Sequence, residues 1–264
     1  MDIEYIAPIS TVSAGGIEWT PTRWRVVSSR LEPFDVARVE IDNHDGQISI
    51  TDGTEIEIRS GYREHGEWVV FRGIMTRCVT GVTLALEAKD TGMFKLSTAK
   101  AVPSSFSPAN AVVVAQSIAA AAGVTLQPEA LIQLSALPPK KQVVLAATTA
   151  LVALRTMMQS WGIGGWDLWC DVDASLYIGA STKSSRALSF DLHMLERDEN
   201  VIEMEPPQNS NSTGRVVTVG LPVRHSEHMI VSDLGFFGPE IVQVDRVTHS
   251  VWPHARTEVV WRQV

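Results

Sequence analysis

The stretch from residue 53 to residue 90 constrains the fold of this chain most, because it carries three strand patterns in a row. Over residues 54–59, isoleucines alternate with charged residues, which is the period-two pattern of a half-buried strand. A longer strand pattern covers residues 67–80, and a third alternating run covers 82–88. Gly81 lies where a tight turn requires glycine, so the sequence predicts an antiparallel meander.

Gly73 interrupts the longest of these three strands. An isolated glycine inside a strand pattern typically marks a bulge or a sharp bend at the corner of a barrel. We therefore predict a bulge or bend at Gly73, in the middle of the second strand.

Composition narrows the class of protein. The 264 residues suffice for one large domain or two to three small ones, and a hydrophobic content of 45% supports a sizeable core. A net charge of −8 argues against a general nucleic-acid-binding surface, which requires a basic field.

Two cysteines, Cys78 and Cys170, are too few for a disulfide framework and are typical of a protein in a reducing cytoplasm. The amino terminus lacks a signal-peptide pattern, and the most apolar stretch, 111–122, is too short to span a bilayer, so we expect a soluble intracellular product.

The character of the sequence changes twice, which predicts three parts. Residues 1–100 and 184–264 have strand patterns, whereas residues 101–183 predict a small α+β insert. A weak similarity between residues 75–86 and 247–261 indicates a duplicated β module. The predicted fold class is therefore mainly β, with two similar antiparallel β-barrel modules flanking a unit of two helices and a hairpin.

The first helix of the insert has recognisable start and stop signals. Ser107 is a candidate N-cap, Pro108 follows at the first helical position, and Gly123 is the expected stop. Residues 126–139 are predicted to form a loop that ends in two prolines.

The second helix and the hairpin follow. Thr148 or Thr149 is the predicted cap of a helix through Trp161. Residues 166–170 and 176–178 are predicted to pair as a hairpin.

The four residues His-Ser-Glu-His at 225–228 raise the question of a metal site, with His249 and His254 nearby in the sequence. The spacing matches neither H-E-x-x-H nor H-x-x-E-H, and the P-C-x-x-C of zinc deaminases is absent. We therefore favour histidines of surface loops over a metal site.

Other candidate chemistry also has a simpler explanation. Asp167, Asp171 and Asp173 cluster near the hairpin and resemble paired carboxylates for glycoside hydrolysis, but aspartate at a β-turn is commoner. Cys78 and Cys170 have no adjacent base and are expected to be small hydrophobic side chains. No phosphate-binding glycine loop or nucleophile motif occurs. We predict no catalytic, cofactor-binding or metal-binding residue, and no enzyme.

Three of the eight tryptophans lie close together at a helix end and the following hairpin. They are most simply core residues and next most simply anchors of an interface between subunits. The candidate interface anchors are Trp161, Trp166 and Trp169.

The order of several segments indicates a family. These segments are F-D-V-A-R-V-E-I (34–41), D-G-T-E-I-E-I-R (52–59), V-F-R-G-I-M-T-R (70–77), L-A-L-E-A-K-D with M-F-K-L (84–96), the helix pattern at 107–124, and the helix, glycine and hairpin pattern at 151–179. In this order they resemble the tail hub proteins of bacteriophages, the late-control protein D or baseplate hub family. That fold also forms the amino-terminal part of type VI secretion spike proteins.

The resemblance implies a structural role. Hub proteins of this family form trimers in which each subunit contributes two similar β-barrel domains, so that a six-part ring joins the hexameric tail tube to a trimeric spike or tip. It implies a homotrimer in the tail tip or baseplate of the virion, assembled in the host cytoplasm. The implied partners are a tail tube or distal tail protein, a spike or tip protein and a tape measure protein. The negative charge suits a lumen through which DNA passes during ejection without specific binding.

Two alternatives stay open. One is another tail component, such as a distal tail or tube-adaptor protein, which would form hexamers. The other is a small tail-associated cell-wall hydrolase that uses the carboxylates around Asp171. Because the sequence holds no added lysozyme, peptidase or needle-like domain, we expect the piercing tip to be a separate protein.

Overall fold

The computed structural model describes residues 8–101, 104–146, 148–188, 193–196, 199–208, 212–232, 240–251 and 254–264. The chain divides into two compact units. One, here called the β unit, comprises the described residues up to Lys89 and from Arg186 onward, and the other, the mixed unit, is Asp90–Ser185. No helix in the described part of the chain has the length and hydropathy that a bilayer crossing requires.

The elements follow one another in three groups. The first strands are β1 (Pro8–Ala14), β2 (Ile17–Trp19), β3 (Arg23–Ser29), β4 (Val36–Asp42), β5 (Glu55–Tyr62), β6 (Gly66–Val79) and β7 (Thr83–Asp90). The middle group is α1 (Thr91–Thr98), β8 (Lys100–Ala101), β9 (Ser104–Phe106), α2 (Ala111–Ala121), β10 (Thr125–Leu126), α3 (Pro128–Ser135), β11 (Val143–Leu145), β12 (Thr148–Thr149), α4 (Ala150–Ser160), β13 (Asp167–Cys170), β14 (Ser175–Gly179), a 3-10 turn (Ser181–Lys183) and α5 (Ser185–Leu188). The last strands are β15 (His193–Leu195), β16 (Val201–Glu205), β17 (Gly214–Val219), β18 (His228–Val231), β19 (Glu240–Val251) and β20 (Ala255–Gln263).

The β unit is built on one large sheet. Its strands lie in the order β16, β17, β20, β19, β3, β4, β7, β6, β5, β1, β2, and β18 pairs with β19 and β15. The strand pairs of known register run antiparallel, apart from the parallel pair β15–β18. The mainly β, antiparallel class predicted from the sequence is confirmed. Among the described strands the sheet has open ends at β2 and β16 and does not close into a barrel, so the two barrels stay a prediction.

Alternation of apolar and polar residues builds two hydrophobic cores in the β unit. In β4, for example, Ala37, Val39 and Ile41 are buried, and the residues between them are charged. The first core gathers side chains from β1 and β3 to β7, and the second gathers them from β15 to β20. Strand β19 contributes to both, since Val247 lies in the second core and Val251 packs against the first. One sheet therefore carries two separate cores.

The predicted meander is confirmed as β5, β6 and β7, but the predicted bulge at Gly73 is wrong. The register between β5 and β6 shifts between Ile58 and Arg59, so Val70 is the extra residue of the bulge, and Gly73 pairs without interruption. Glycine is needed at 73 for close packing, because a neighbouring carbonyl group and an aromatic ring approach the backbone there.

Replacing Gly73 with alanine is expected to lower the free energy of unfolding by about 1–3 kcal/mol, the usual cost of an extra carbon in a packed interior. The new Cβ would lie 2.4 Å from the carbonyl oxygen of Lys89 and 2.4 Å from the ring of Phe71. Gly165→Ala is the matched control, because nothing lies within 4 Å of a Cβ there, and it should stay within about 0.5 kcal/mol. Urea unfolding followed by circular dichroism measures both variants, and equal stabilities would contradict the steric account.

In the mixed unit, the first predicted helix begins later than the sequence indicated, and the cap predicted at Ser107 is wrong. Helix α2 is capped by Asn110, whose side-chain oxygen accepts a hydrogen bond from the backbone N–H of Val112 at 2.9 Å. Ala109 exchanges two backbone hydrogen bonds with Lys140, at 2.8 and 2.9 Å. This bridge is incompatible with helical pairing, so the helix starts after it.

Residues 126–139, predicted as a loop, contain helix α3. Pro128 occupies the first helical turn and Glu129 follows it, which together are a helix start signal. The helix packs on β14, where the side-chain amide of Gln133 donates to the hydroxyl of Tyr177 at 2.8 Å. The loop prediction was therefore wrong.

Helix α4 and the hairpin β13–β14 are confirmed. Thr149 caps α4, since its hydroxyl oxygen accepts from a backbone N–H of the first turn. Gly123 and Gly162, which follow α2 and α4, have φ angles of 66° and 73°, the left-handed conformation that ends many helices. Across the hairpin, Trp169 pairs with Tyr177, and the two rings stack with centroids 5.0 Å apart.

Candidate interaction surfaces

Polar side chains, most of them buried, lie where the two cores of the β unit meet. We call this group the polar junction and define it as Arg30, His225, Asp245, His249 and Arg262. Arg30 lies 3.1 Å from the carboxylate of Asp245, and the two side chains are only 12% and 11% exposed. Arg262 lies 3.6 Å from the same carboxylate. Because solvent screens the Arg30–Asp245 pair weakly, this pair holds the end of β3 against β19, whereas Arg262 is 41% exposed and its contact is screened more strongly.

His249 lies on β19 between the two cores, opposite Val26 of β3. Its Nε2 lies 2.9 Å from the carbonyl oxygen of Val223, and its Nδ1 lies 3.2 Å from the hydroxyl of Thr257. A carbonyl oxygen only accepts hydrogen bonds, so Nε2 carries the proton of the neutral ring. Burial lowers the pKa of His249 to about 4, because the charged ring would lose its water.

The free energy of unfolding is expected to fall as the pH is lowered from about 6.5 to about 4. The unfolded chain binds a proton at the ordinary histidine pKa near 6.5, whereas folded His249 does so only near 4. Unfolding therefore takes up a proton in this window, and acid favours it, by about 3 kcal/mol for this one group when the window is complete. His249→Gln should reduce the pH dependence. Urea unfolding at several pH values tests this, and an unchanged slope in the variant would contradict it.

The prediction that His225 lies in a surface loop is wrong, since its side chain is buried. Its Nδ1 lies 3.1 Å from the hydroxyl of Ser226, and its carbonyl oxygen accepts from Arg186 at 3.1 Å. Burial first, and then the charges of Arg186, Arg30 and Arg224, hold the pKa of His225 well below its ordinary range. Within the described ranges no group of three or more His, Cys, Asp or Glu side chains is placed to hold a metal ion.

The three aspartates that suggested paired carboxylates lie on one hairpin. Oδ1 of Asp171 accepts from the backbone N–H of Val172, and Oδ1 of Asp173 accepts from that of Ser175, both at 2.9 Å. These are the hydrogen bonds of turn aspartates. Asp167 lies in β13 and is largely buried. The geometry matches the turn interpretation for Asp171 and Asp173, whereas it was wrong for Asp167, which lies in a strand.

The two cysteines form no disulfide. Cys170 is buried against α1, where a Cβ added to Gly92 would lie 2.5 Å from its sulfur. Cys78 is half-buried and packs against the first core. Both therefore occupy packed positions that suit a small apolar side chain.

The three candidate anchors differ in exposure. Trp169 is 4% exposed and belongs to the core of its own chain, whereas Trp161 and Trp166 are half-buried. Nε1 of Trp161 donates to the carbonyl oxygen of Pro138 at 3.0 Å, and Nζ of Lys140 lies 5.9 Å from the ring centroid. An interface role stays a prediction, and only Trp161 and Trp166 keep ring surface for it.

A second surface was not predicted from the sequence. An apolar stripe, defined as Met194, Ile230, Ile241 and Val264, lies on the neighbouring strands β15, β18 and β19 and on the residue that follows β20. Met194 pairs with Ile230, and Ile230 pairs with Ile241. Met194, Ile241 and Val264 are 49%, 56% and 74% exposed. Apolar residues gathered in this way are typical of an interaction surface.

Solved structures match the fold over nearly the whole chain. The prophage MuSo2 43 kDa tail protein from Shewanella oneidensis has a TM-score of 0.73 at 12% identity, covering 97% of this chain and 98% of that one. The tail protein from Neisseria meningitidis MC58 has a TM-score of 0.69 at 14% identity, covering 97% of each chain. The E. coli c3393 protein has a TM-score of 0.64 at 9% identity, covering 96% of this chain and 76% of that one. That protein is a component of the type VI secretion system and is similar in structure to the T4 bacteriophage tail proteins gp27 and gp5.

No protein-family model matches the sequence, and no curated protein matches it. At 9–14% identity the structural likenesses establish the fold. The chain has the fold of phage tail proteins, which confirms the resemblance seen in the order of its sequence segments. The matched proteins are tail and secretion components rather than enzymes.

Proposed function

We propose that this chain is a structural tail hub protein of a phage or phage-like particle. In this proposal it forms a homotrimer in the tail tip or baseplate and joins a hexameric tail tube to a trimeric spike or tip. The observation that carries the proposal is the likeness to the MuSo2 tail protein, which extends over 97% of this chain and 98% of that one. A likeness over both whole chains supports a shared architecture rather than one shared module. We propose no enzymatic activity.

The two cores of the β unit support a duplicated module. Each core is a separate hydrophobic cluster, the first built of buried residues from before the insert and the second of buried residues from after it, and β19 adds Val251 to the first. The proposed modules are residues 1–100 and 184–264, and the insert is 101–183. Three chains with two modules each would present six similar parts to a hexameric tube, as a symmetry adaptor requires.

The distribution of charge supports a lumen for DNA. The mixed unit holds five acidic and six basic residues, so its formal charge is +1 and the rest of the chain carries −9. Acidic walls repel phosphate groups, so DNA would pass the β units without binding. The proposed partners are a tail tube or distal tail protein, a spike or tip protein and a tape measure protein.

Electron microscopy of the purified protein at high concentration tests the proposal. The expected particle is a ring with threefold symmetry, six similar parts and an open centre. A ring of six chains would indicate a distal tail or tube-adaptor protein instead. Digestion of purified peptidoglycan by the parent protein, lost in Asp171→Ala and Asp173→Ala, would indicate the hydrolase.

A further inference from the structure

One stretch of the mixed unit lacks negative charge. Between Glu129 and Asp167 the sequence contains no acidic residue, while it contains Lys140, Lys141 and Arg155. In a chain with a net charge of −8, such a stretch stands out as locally basic. It also contains Trp161, one of the two candidate anchors that keep exposed ring surface.

Part of this stretch forms a surface that we call the ridge, defined as Pro138, Pro139, Lys140, Lys141 and Trp161. Both prolines and Lys141 are exposed, and Lys140 and Trp161 are half-buried. The prolines and the tryptophan provide apolar contact area, and the lysine side chains add positive charge. Protein interfaces combine the same two properties in their apolar anchors and their polar rims.

The ridge is held in one conformation by hydrogen bonds along its length. Trp161 donates to the carbonyl oxygen of Pro138 at 3.0 Å, and the backbone of Lys140 is bridged twice to Ala109. The carbonyl oxygen of Lys141 accepts from the hydroxyl of Ser107 at 3.0 Å. A surface ordered before binding loses little conformational entropy when a partner docks.

An acidic surface of complementary character lies on the β unit at β16, which is an edge strand among the described strands of the sheet. The side chains of Glu203 and Glu205 are 55% and 62% exposed. Ile202, which precedes Glu203 in the same strand, is 51% exposed. Arg215 is the basic side chain that contacts them, and it also contacts Glu258 at 3.1 Å. Three carboxylates against one guanidinium leave this edge negative.

We infer that the ridge of one copy of this chain docks on the acidic β16 edge of a second copy. The surfaces differ in charge and both carry exposed apolar residues, so the contact is head-to-tail, the type that closes into rings. This inference rests on the proposed function, because it names the subunit contact of the proposed trimer. Residues 1–89 and 186–264 carry a formal charge of −9 in each copy, so these parts of two copies would repel one another, whereas a ridge against a β16 edge attracts.

Charge reversal tests the inference, with native mass as the measurement. Lys140→Glu with Lys141→Glu is expected to weaken subunit association about 100-fold, because like charges then face each other. Adding Glu203→Lys and Glu205→Lys to that variant is expected to restore assembly. The matched control is Lys100→Glu with Lys183→Glu, two exposed lysines of the same unit with the same change in charge. Thermal unfolding of each variant confirms that it folds.

Each result bears on the inference in a definite way. The inference is supported if Lys140→Glu with Lys141→Glu (the ridge variant) loses assembly while the control variant keeps it. The variant that also carries Glu203→Lys and Glu205→Lys must then regain assembly. Assembly of the ridge variant at the parent's level overturns it and leaves the proposed function intact. Loss without rescue overturns the assignment to β16, and duplex DNA binding that the ridge variant loses would assign the ridge to nucleic acid. A parent protein that stays monomeric at every concentration overturns both the inference and the trimer.

Discussion

Replacing Trp261 with alanine is expected to lower the free energy of unfolding by about 3–5 kcal/mol, the cost of removing a large buried ring from a packed core. The side chain is fully buried in the second core. Its ring packs against the backbone of β17, where a Cβ on Gly214 would lie 2.3 Å from it. Strands β17 and β19 are held on both sides of β20 by their backbone hydrogen bonds, so they cannot move in to fill the cavity.

Trp261→Phe is the matched control for this effect. Nε1 of Trp261 has no hydrogen-bond partner in the described part of the chain, so phenylalanine loses volume without breaking a hydrogen bond. Its expected cost is about 1–2 kcal/mol. Urea unfolding followed by fluorescence or circular dichroism measures both variants. A loss below about 1 kcal/mol for the alanine variant would mean that the second core is not packed as described.

Replacing Asp245 with alanine is expected to destabilise the fold by about 3–5 kcal/mol, as is usual when one partner of a buried ion pair is removed. The change leaves the guanidinium of Arg30, only 12% exposed, without this carboxylate, and it also removes the contact with Arg262. The ion pair that connects the residue after β3 to β19 would then be lost.

A surface ion pair of the same sheet provides the comparison for Asp245. Arg23 and Glu40 face each other across β3 and β4 with side chains 54% and 38% exposed. Glu40→Ala should cost no more than about 1 kcal/mol, and added salt should shrink that cost further. Equal effects of the two substitutions in chemical unfolding would show that burial of the junction does not matter.

The strands were predictable wherever one face is buried and the other is solvated. Patterns in the sequence placed β5, β6 and β7 within a few residues of their ends, because period-two alternation marks a half-buried strand directly. Helix α3 could have been found as well, since Pro128 followed by Glu129 is a start signal that the prolines after the helix obscured. The position of the bulge could not be read from Gly73, because glycine is required there by the close approach of the Lys89 carbonyl group from the neighbouring strand and not by the bulge.

The candidate surfaces were less predictable, because they depend on contacts between distant residues. Arg30 and Asp245 are 215 positions apart, and nothing local marks them as partners. His225 lies in a polar run, yet it is buried because the residue after it donates a backbone hydrogen bond to Val244 of β19. The sequence placed three tryptophans near one another, but only the tertiary structure separates core Trp169 from half-exposed Trp161.

The native mass of the purified chain at high concentration tests the central claim most directly. A trimeric tail hub predicts a species of three chains of 28.9 kDa each, in equilibrium with the monomer on dilution. A hexamer would contradict the hub and favour a tube-side tail component. A strict monomer at every concentration would contradict self-assembly of the hub altogether.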